Sequence, residues 1–319
     1  MCRVSPYPEA ESRRTLGLMQ TTHATPSKEA GSEAVSVRAL DGLALAGTVH
    51  RAARPRGTVL LLGGTGIPRR FYDAFAAHLA GRGLTTLTLD YRGVGDSRPE
   101  RWKGFDATKT DWARLDFSGG FDWLEREVPG VPRLVLGHSV GGQLLGLMSR
   151  PEAFDGVLTY GTSFGYWANM PFGYGLFVAS LWYVGVPVGT ALFDRMPFGR
   201  LGLGEDLPRG VARDWARWGR RSDYFVGELG DEPGFAALRA PWLALYASDD
   251  RIATPENATP LLAAYPNAAQ TVRTLRPEEL GLRELGHLSF FRRGNAALWP
   301  LASDWLVERA NAVREESRA

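Results

Sequence analysis

The stretch that decides the fold runs from residue 134 to residue 148 and reads LVLGHSVGGQLLGLM. It begins with an apolar run typical of a strand that is buried on both faces. The turn Gly137-His138-Ser139-Val140-Gly141 follows, and then an apolar segment that predicts a helix as far as Met148. Strand, sharp turn and helix around Gly-x-Ser-x-Gly predict a serine whose hydroxyl projects above the edge of a sheet. Glycines flank the serine because strand and helix approach too closely there for a Cβ atom.

Apolar runs on either side of this stretch alternate with helical patterns. Further strands are predicted at residues 58–62, 84–89, 157–160, 242–246 and 271–275, and a hairpin at 35–40 and 43–50 around Asp41-Gly42. Helical spacing is predicted at residues 69–81, 112–127 and 295–307. We therefore predict an α/β protein with a mostly parallel central sheet and helices on both faces.

The stretch from residue 163 to residue 238 breaks this alternation and is crowded with Phe, Tyr, Trp, Gly and Pro. We predict that residues 33–162 and 239–312 form the core and that residues 163–238 form an inserted cap or lid. Residues 1–31 are polar and carry no apolar signal segment, which predicts a disordered tail. Together with the single cysteine, Cys2, this favours a cytoplasmic location.

Charge and cysteine content exclude several classes of function. The 319 residues include 37 Lys and Arg against 35 Asp and Glu, a balance that does not predict the basic face needed to bind nucleic acid. One cysteine excludes an intramolecular disulfide and a multi-cysteine metal site. No glycine-rich loop has the Gly-x-Gly-x-x-Gly pattern, which argues against a nicotinamide-dependent oxidoreductase. We expect no cofactor and no metal.

A second copy of the serine motif, GTSFG at residues 161–165, requires a choice between two candidate nucleophiles. Ser139 precedes a plausible helix, whereas Pro171 and Gly173 interrupt any helix after Ser163. We therefore predict Ser139 as the nucleophile. Ser163 is interpreted as a strand-end turn and, with Tyr166 and Trp167, as a candidate lining of the substrate pocket.

A serine hydroxyl needs a base to take its proton, and the base needs an acid to orient it. Of five histidines, only His287 stands late in the chain on a predicted loop. The acid should follow a strand between serine and histidine, and the strand at 243–246 leads to Asp249 and Asp250, which are both candidates. Glu284 is a more distant candidate and is interpreted as a solvated charge.

Three motifs taken together resemble the α/β-hydrolase superfamily, and in particular a poorly characterised group of predicted bacterial hydrolases. They read DYRGVGDS at residues 90–97, GHSVGGQ at 137–143 and GHLSFF at 286–291, and the resemblance covers residues 35–307. In that superfamily the triad runs nucleophile, acid, histidine. The family's Asp-x-Ile/Val-x-x-Pro turn matches DRIATP at residues 250–255, which implies Asp250 as the acid. Asp249 then becomes a turn-capping or supporting carboxylate.

The resemblance also implies where an oxyanion would be held. One amide would belong to Val140, the residue after the nucleophile, and the other to the loop after the strand at 58–62. Many relatives have His-Gly in that loop, whereas this chain has Gly63-Gly64, which leaves Thr65 or Gly66 as the second donor. The loop at residues 92–97 is expected to support the scaffold.

Residues 167–193 carry no charge, a length that meets the criterion for a membrane span. A span here would separate Ser139 from Asp250 and His287, so we favour a lid whose aromatic side chains cover the site. As a group they predict an apolar acyl or aryl pocket, and contact of the lid with a membrane surface stays open. The aromatic residues are Tyr166, Trp167, Phe172, Tyr174, Phe177, Trp182 and Tyr183.

These observations predict a cofactor-independent serine hydrolase that cleaves an ester or thioester of a small hydrophobic substrate through an acyl-enzyme. An acyltransferase with the same triad is one alternative. A catalytically silent lipid-binding or scaffold protein with a hydrolase fold is another. Amide cleavage stays open because the same triad serves amides and esters.

Overall fold

The computed structural model describes residues 31–318, so the predicted disordered tail at residues 1–31 lies outside the described residues apart from Gly31. Ten strands form in this part of the chain. They are β1 (Ser32–Arg38), β2 (Ala44–His50), β3 (Gly57–Leu62), β4 (Leu84–Leu89), β5 (Arg133–His138), β6 (Gly156–Tyr160), β7 (Arg195–Met196), β8 (Leu207–Pro208), β9 (Trp242–Ala247) and β10 (Gln270–Leu275).

Eight of these strands form one sheet in the order β1-β2-β4-β3-β5-β6-β9-β10. Strand β2 pairs antiparallel with β1 and β4, and every other pairing in the sheet is parallel. All residues of β3, β4, β6 and β9 are buried, because helices cover both faces of the sheet. The prediction of an α/β fold with a mostly parallel sheet is confirmed.

Helices cover the two faces of the sheet and fill the connection between β6 and β9. The α-helices are α1 (Asp73–Gly81), α2 (Lys109–Asp111), α3 (Ser118–Glu127), α4 (Val140–Gln143), α5 (Phe172–Ser180), α6 (Val186–Leu192), α7 (Arg209–Gly219), α8 (Val226–Leu229), α9 (Pro233–Ala237), α10 (Pro255–Ala263) and α11 (Pro300–Glu316). Two π-helical segments, Trp112–Phe117 and Leu181–Gly185, join α2 to α3 and α5 to α6. Short 3₁₀ turns occupy Arg69–Tyr72, Gly95–Ser97, Leu145–Leu147, Pro151–Ala153, Trp167–Asn169, Phe198–Leu201, Pro277–Leu280, Ser289–Phe291 and Arg293–Leu298.

The helix predicted to run from the serine motif to Met148 is shorter than expected. Helix α4 ends at Gln143, and Leu144 leaves the helical region with φ −115° and ψ 23°. Glycines at 141, 142 and 146 weaken the helix. At Gly146 a Cβ would lie 2.7 Å from the ring of Phe235, so the backbone passes close beneath α9 and bends there. The last helix likewise begins at Pro300 rather than near residue 295, after a 3₁₀ segment.

The connection from β6 to β9 carries helices α5 to α9 and the small antiparallel pair β7–β8. Its buried aromatic residues Trp182, Trp218 and Phe225 belong to the same apolar cluster as Val135 and Leu144 near the serine motif. The inserted segment therefore packs on the sheet through one continuous core, on the side where the serine motif emerges.

Candidate active site

The serine of the predicted nucleophile motif lies at a strained turn. Strand β5 ends at His138, helix α4 begins at Val140, and Ser139 between them has φ 53° and ψ −117°. Its amide donates to the carbonyl of Tyr160 at 3.1 Å, and its carbonyl accepts from the amide of Gly142 at 3.1 Å. A non-glycine residue at positive φ costs about 1–3 kcal/mol and persists only where its surroundings fix it.

Close approach of the backbone explains the glycines on either side of Ser139. A Cβ on Gly137 would lie 2.6 Å from the backbone of Gly142. A Cβ on Gly141 would collide with the carbonyl of Leu62 in the neighbouring strand β3. The turn can therefore form only with glycine at both positions, as the sequence pattern predicts.

The order of strands brings an aspartate and a histidine to the same edge of the sheet as Ser139. Asp250 follows β9 and His287 follows β10, and the carboxyl ends of these parallel strands lie side by side. The Nδ1 atom of His287 lies 2.7 Å from Oδ2 of Asp250. The Asp250 side chain is fully buried, whereas that of His287 keeps 15% of its surface exposed. An aspartate and a histidine are thus in contact at the positions predicted for the acid and the base.

The environment of Asp250 favours its ionised form. Burial by itself would raise the pKa of this carboxyl group, but the charge and hydrogen bond of His287 lower it. The other oxygen, Oδ1, accepts from the amides of Ile252 at 2.8 Å and Ala253 at 3.0 Å. With these contributions the pKa of Asp250 lies below its ordinary value, so Asp250 can orient His287 and stabilise its protonated form.

Asp249, the alternative acid, makes different contacts. Its two oxygens accept from the amides of Leu285 and Gly286, both at 2.9 Å. The hydroxyl of Tyr160 donates to the carbonyl of Gly286 at 2.6 Å. Asp249 therefore holds the loop that carries His287, whereas Glu284 is exposed, as expected for a solvated charge.

A buried hydrogen-bond chain that sequence reasoning missed also reaches this loop. The amide of Gly64 donates to Oη of Tyr72 at 2.8 Å, and Oη lies 2.7 Å from Nδ1 of His138. On the other side of the ring, Nε2 of His138 lies 2.8 Å from the carbonyl oxygen of His287. A carbonyl only accepts, so Nε2 carries the proton and Nδ1 accepts from the tyrosine.

Burial keeps His138 neutral. Together with the nearby charge of His287, it lowers the pKa of His138 from 6.5 to about 3. His138 therefore cannot act as a base at neutral pH, although it lies next to Ser139 in the chain. The one signal in the sequence was its position at the end of a buried strand, where any polar side chain needs a partner.

The second Gly-x-Ser-x-Gly copy surrounds a buried serine. The hydroxyl of Ser163 donates to the carbonyl of Phe164 at 2.9 Å, and its own carbonyl accepts from the amide group of Gln143 at 2.6 Å. Gly161 has φ +60°, and a Cβ there would lie 3.1 Å from Nδ1 of His287 and 3.2 Å from Oδ2 of Asp250. The glycine of this copy leaves room for the acid–base pair.

The predicted oxyanion donors flank the turn. Val140 is the first residue of α4, where amides have no partner within the helix. The amide of Gly64 is already used by Tyr72, so the next amides along this loop are those of Thr65 and Gly66. Gly66, at φ +68°, accepts from the amide of Glu205 at 3.2 Å and so ties the loop to the inserted segment. The assignment of Val140, Thr65 and Gly66 stays a prediction.

The aromatic residues of the inserted segment divide into two groups. Tyr166, Trp167 and Tyr174 are half-buried, and Trp182 is buried. Phe172, Phe177 and Tyr183 face outward instead, so the expectation that all these rings cover the site is wrong for those three. They lie on the side of a long helix that no other element of residues 31–318 covers.

A cleft of about 640 Å³ lies against Asp249 and Asp250 and is bounded on the side of the inserted segment by Pro171. Within residues 31–318 no three His, Cys, Asp or Glu side chains are grouped so that they could hold a metal ion.

Comparison with known proteins agrees with this architecture. The sequence profile of a family described as serine aminopeptidase, S33, matches residues 53–196. The esterase domain of a Rhodothermus marinus protein superposes with a TM-score of 0.54 at 17% identity, covering 87% of this chain and 98% of that one. For a Paleococcus ferrophilus monoacylglycerol lipase the TM-score is 0.55 at 17% identity, and the superposition covers 83% of this chain and 99% of the lipase. For a thermophilic esterase from Thermogutta terrifontis the TM-score is 0.54 at 17% identity, and the superposition covers 87% of this chain and 99% of the esterase.

Proposed function

We propose that this chain, which has the α/β-hydrolase fold, is a serine hydrolase that cleaves carboxylic ester or thioester bonds of a hydrophobic acyl or aryl substrate. The observation that carries this proposal is the 2.7 Å contact between Asp250 Oδ2 and His287 Nδ1. It lies at the sheet edge where Ser139 stands on its strained turn. The names of the similar proteins, which include esterases and a lipase, support an ester as the substrate.

The proposed reaction begins with attack of Ser139 Oγ on the carbonyl carbon of the ester. The proton of the hydroxyl passes to Nε2 of His287 as the new C–O bond forms. The carbonyl oxygen becomes an oxyanion, which the amide of Val140 and an amide of the loop at Thr65 and Gly66 would stabilise. Removing one such donor typically lowers kcat by about 10²–10³-fold.

Collapse of this intermediate expels the alcohol or thiol, which takes the proton from Nε2, and leaves the acyl group on Ser139. Water then attacks the acyl-enzyme with His287 as base, and the acid is released. Throughout, Asp250 keeps the Nδ1–H of His287 in place and stabilises the imidazolium. The buried, ionised state of Asp250 suits this role.

A fluorophosphonate probe tests the proposal directly. We expect covalent labelling that maps to Ser139, is absent in Ser139→Ala and persists in Ser163→Ala, the matched serine of the second motif copy. Ser139→Ala should also lower turnover of p-nitrophenyl esters on the order of 10³-fold or more. Labelling at Ser163, or full turnover in Ser139→Ala with an unchanged circular dichroism spectrum, would overturn the assignment.

A further inference from the structure

An apolar helix face that no other part of residues 31–318 covers lies near the loop that carries Asp250. Helix α5, the π-helical segment Leu181–Gly185 and helix α6 run on without a break from Phe172 to Leu192. This 21-residue run is the one helix in the described part of the chain that is long and apolar enough to cross a membrane, by length and composition. Only 28% of its most apolar window is buried.

Exposure along this run follows the geometry of a helix. Every fourth position from 172 to 192 is exposed, and five of these six residues are large and apolar. The sixth, Ser180, donates its hydroxyl to the carbonyl of Phe177 at 2.7 Å, so its polar group is already satisfied. The five residues are Phe172 (82% exposed), Leu176, Val184 (60%), Val188 and Leu192 (71%). We call them, with their exposed neighbours Phe177 and Tyr183, the apolar face.

The opposite side of the helix is held by the protein. Trp182 is buried and packs on Trp215 of α7 with ring centroids 4.8 Å apart. Val178 and Val186 are buried in the same cluster. A helix held along one side cannot be surrounded by lipid, so spanning is excluded for this packing. The helix can instead lie parallel to a membrane surface, with its exposed apolar side inserted among the lipids.

Charges at the rim of the apolar face favour an anionic surface. The guanidinium groups of Arg200 and Arg220 lie over the rings of Phe193 and Tyr183, at 5.7 Å and 5.5 Å. Arg213 donates to the hydroxyl of Thr190 at 3.2 Å. Within residues 31–318 none of these three arginines forms an ion pair, whereas Asp194, the first acidic residue after the helix, is paired with Arg209.

The apolar face begins beside the loop that carries Asp250. Pro171, which precedes Phe172, lines the cleft against Asp250. The side chain of Asn169, two residues earlier, donates to Oδ1 of Asn257, and Thr254 donates to the Asn169 carbonyl. The start of the helix is thus fixed to the loop that follows the acid. A lipid surface that contacts Phe172 would therefore lie close to the loop that carries Asp250.

From this arrangement we propose that the apolar face docks on a lipid surface that carries anionic headgroups. The enzyme would then take its ester substrate from that lipid surface. This statement about the substrate rests on the function proposed above. A second copy of the chain fits the face less well, because a two-fold pairing would bring the rim arginines of both copies together.

Flotation with lipid vesicles tests the docking without any need for activity. The wild type and Ser139→Ala should both float with vesicles of phosphatidylcholine and phosphatidylglycerol. Val184→Glu and Val188→Glu should each weaken vesicle binding about tenfold or more. In the docked state each variant would place a charge where the wild type buries an apolar valine side chain in lipid. The matched control is Leu40→Glu, an exposed leucine in the turn between β1 and β2, which should bind as the wild type does. Roughly 1 M salt should also weaken binding, since it screens the arginines.

Three outcomes would overturn the docking proposal. They are wild-type protein that fails to float, Leu40→Glu that loses as much binding as Val184→Glu, and a wild-type dimer that Val184→Glu converts to monomer without any vesicle binding. Turnover of water-soluble p-nitrophenyl acetate separates this proposal from the proposed function. That turnover should be unchanged in Val184→Glu, and its persistence in Ser139→Ala would overturn the function while leaving the docking intact.

Discussion

The imidazole Nε2 of His138 donates to the backbone carbonyl of His287 at 2.8 Å, across 149 positions of sequence. The residue before the candidate nucleophile therefore holds the backbone of the candidate base. Asp249 and Tyr160 hold the preceding residues of the same loop. The position of His287 is thus fixed by two buried side chains, His138 and Tyr160, and by the exposed Asp249, in addition to Asp250.

Removing the His138 ring should disturb His287 without touching substrate. We expect His138→Phe to lower kcat on the order of a hundredfold, because a displacement of about 1 Å at the base has that effect, and to leave KM nearly unchanged. The variant also removes the acceptor of the Tyr72 hydroxyl proton and the donor to the His287 carbonyl, which should lower the free energy of unfolding by about 1–3 kcal/mol for each. Steady-state kinetics and urea unfolding measure the two effects.

Tyr72→Phe is the matched control for His138→Phe, since it keeps the ring and the bond from His138 to His287. It should lower stability but reduce kcat less than His138→Phe does. A His138→Phe enzyme that unfolds more easily yet keeps its full kcat would show that this bond has no positioning role.

The two neighbouring aspartates should differ sharply in their effect on activity. Asp250→Asn removes the partner of Nδ1 and should lower kcat/KM by about 10⁴-fold, because histidine then takes the wrong tautomer. Asp249→Asn keeps one oxygen for the loop amides and should cost on the order of tenfold, which corresponds to about 1.4 kcal/mol. Esterase assays of both variants, at matched folded concentrations, measure the ranking. The reverse order would make Asp249 the acid.

Gly161 should tolerate no side chain because it faces the acid–base pair. In Gly161→Ala the Cβ would press on His287 and Asp250, so we expect a large loss of kcat. Gly281→Ala is the matched control, with φ +70° against +60° and open space where the Cβ would lie. Both variants should lose about 1 kcal/mol of stability from backbone strain. Equal activities of the two would contradict the close contact.

Lys109 should make stability depend on pH. Its side chain is fully buried, and within residues 31–318 Nζ has no hydrogen-bond partner, the ring of Trp215 lying 4.8 Å away. Burial lowers the pKa of Lys109 from 10.5 to about 7, against the opposing charge of Asp214. Between those two pH values the unfolded chain binds more protons at this group, so its contribution makes the free energy of unfolding rise with pH.

Lys109→Met removes this contribution and keeps most of the volume of the side chain. We expect the variant to be more stable than the wild type below about pH 7 and to lose the gain in stability between about pH 7 and pH 10.5. Urea unfolding midpoints across that range test both statements. A variant less stable than the wild type at low pH would mean that the folded protein stabilises the charged amine.

The sequence by itself determined the parts of the fold that depend on neighbouring residues. Strand β3, with VLLL at residues 59–62, and strand β5, with LVL at 134–136, are recognisable because a strand buried on both faces carries a nearly continuous apolar run. The turn at Ser139 is recognisable because backbone crowding admits only glycine at 137 and 141. The extent of the following helix was overestimated, since its end depends on contacts of Gly146 with α9, far away in the chain.

Only the tertiary structure decided which groups meet at the site. The strand order β5-β6-β9-β10 brings residues 139, 250 and 287 to one edge, and distances there separate Asp250, which contacts His287, from Asp249, which contacts the loop amides. The contacts of His138 and the exposure of the apolar face were likewise decided by the tertiary structure, because burial depends on what packs against a side chain. Phe172 and Trp182 are both aromatic in one uncharged run, yet one faces outward and the other packs on α7.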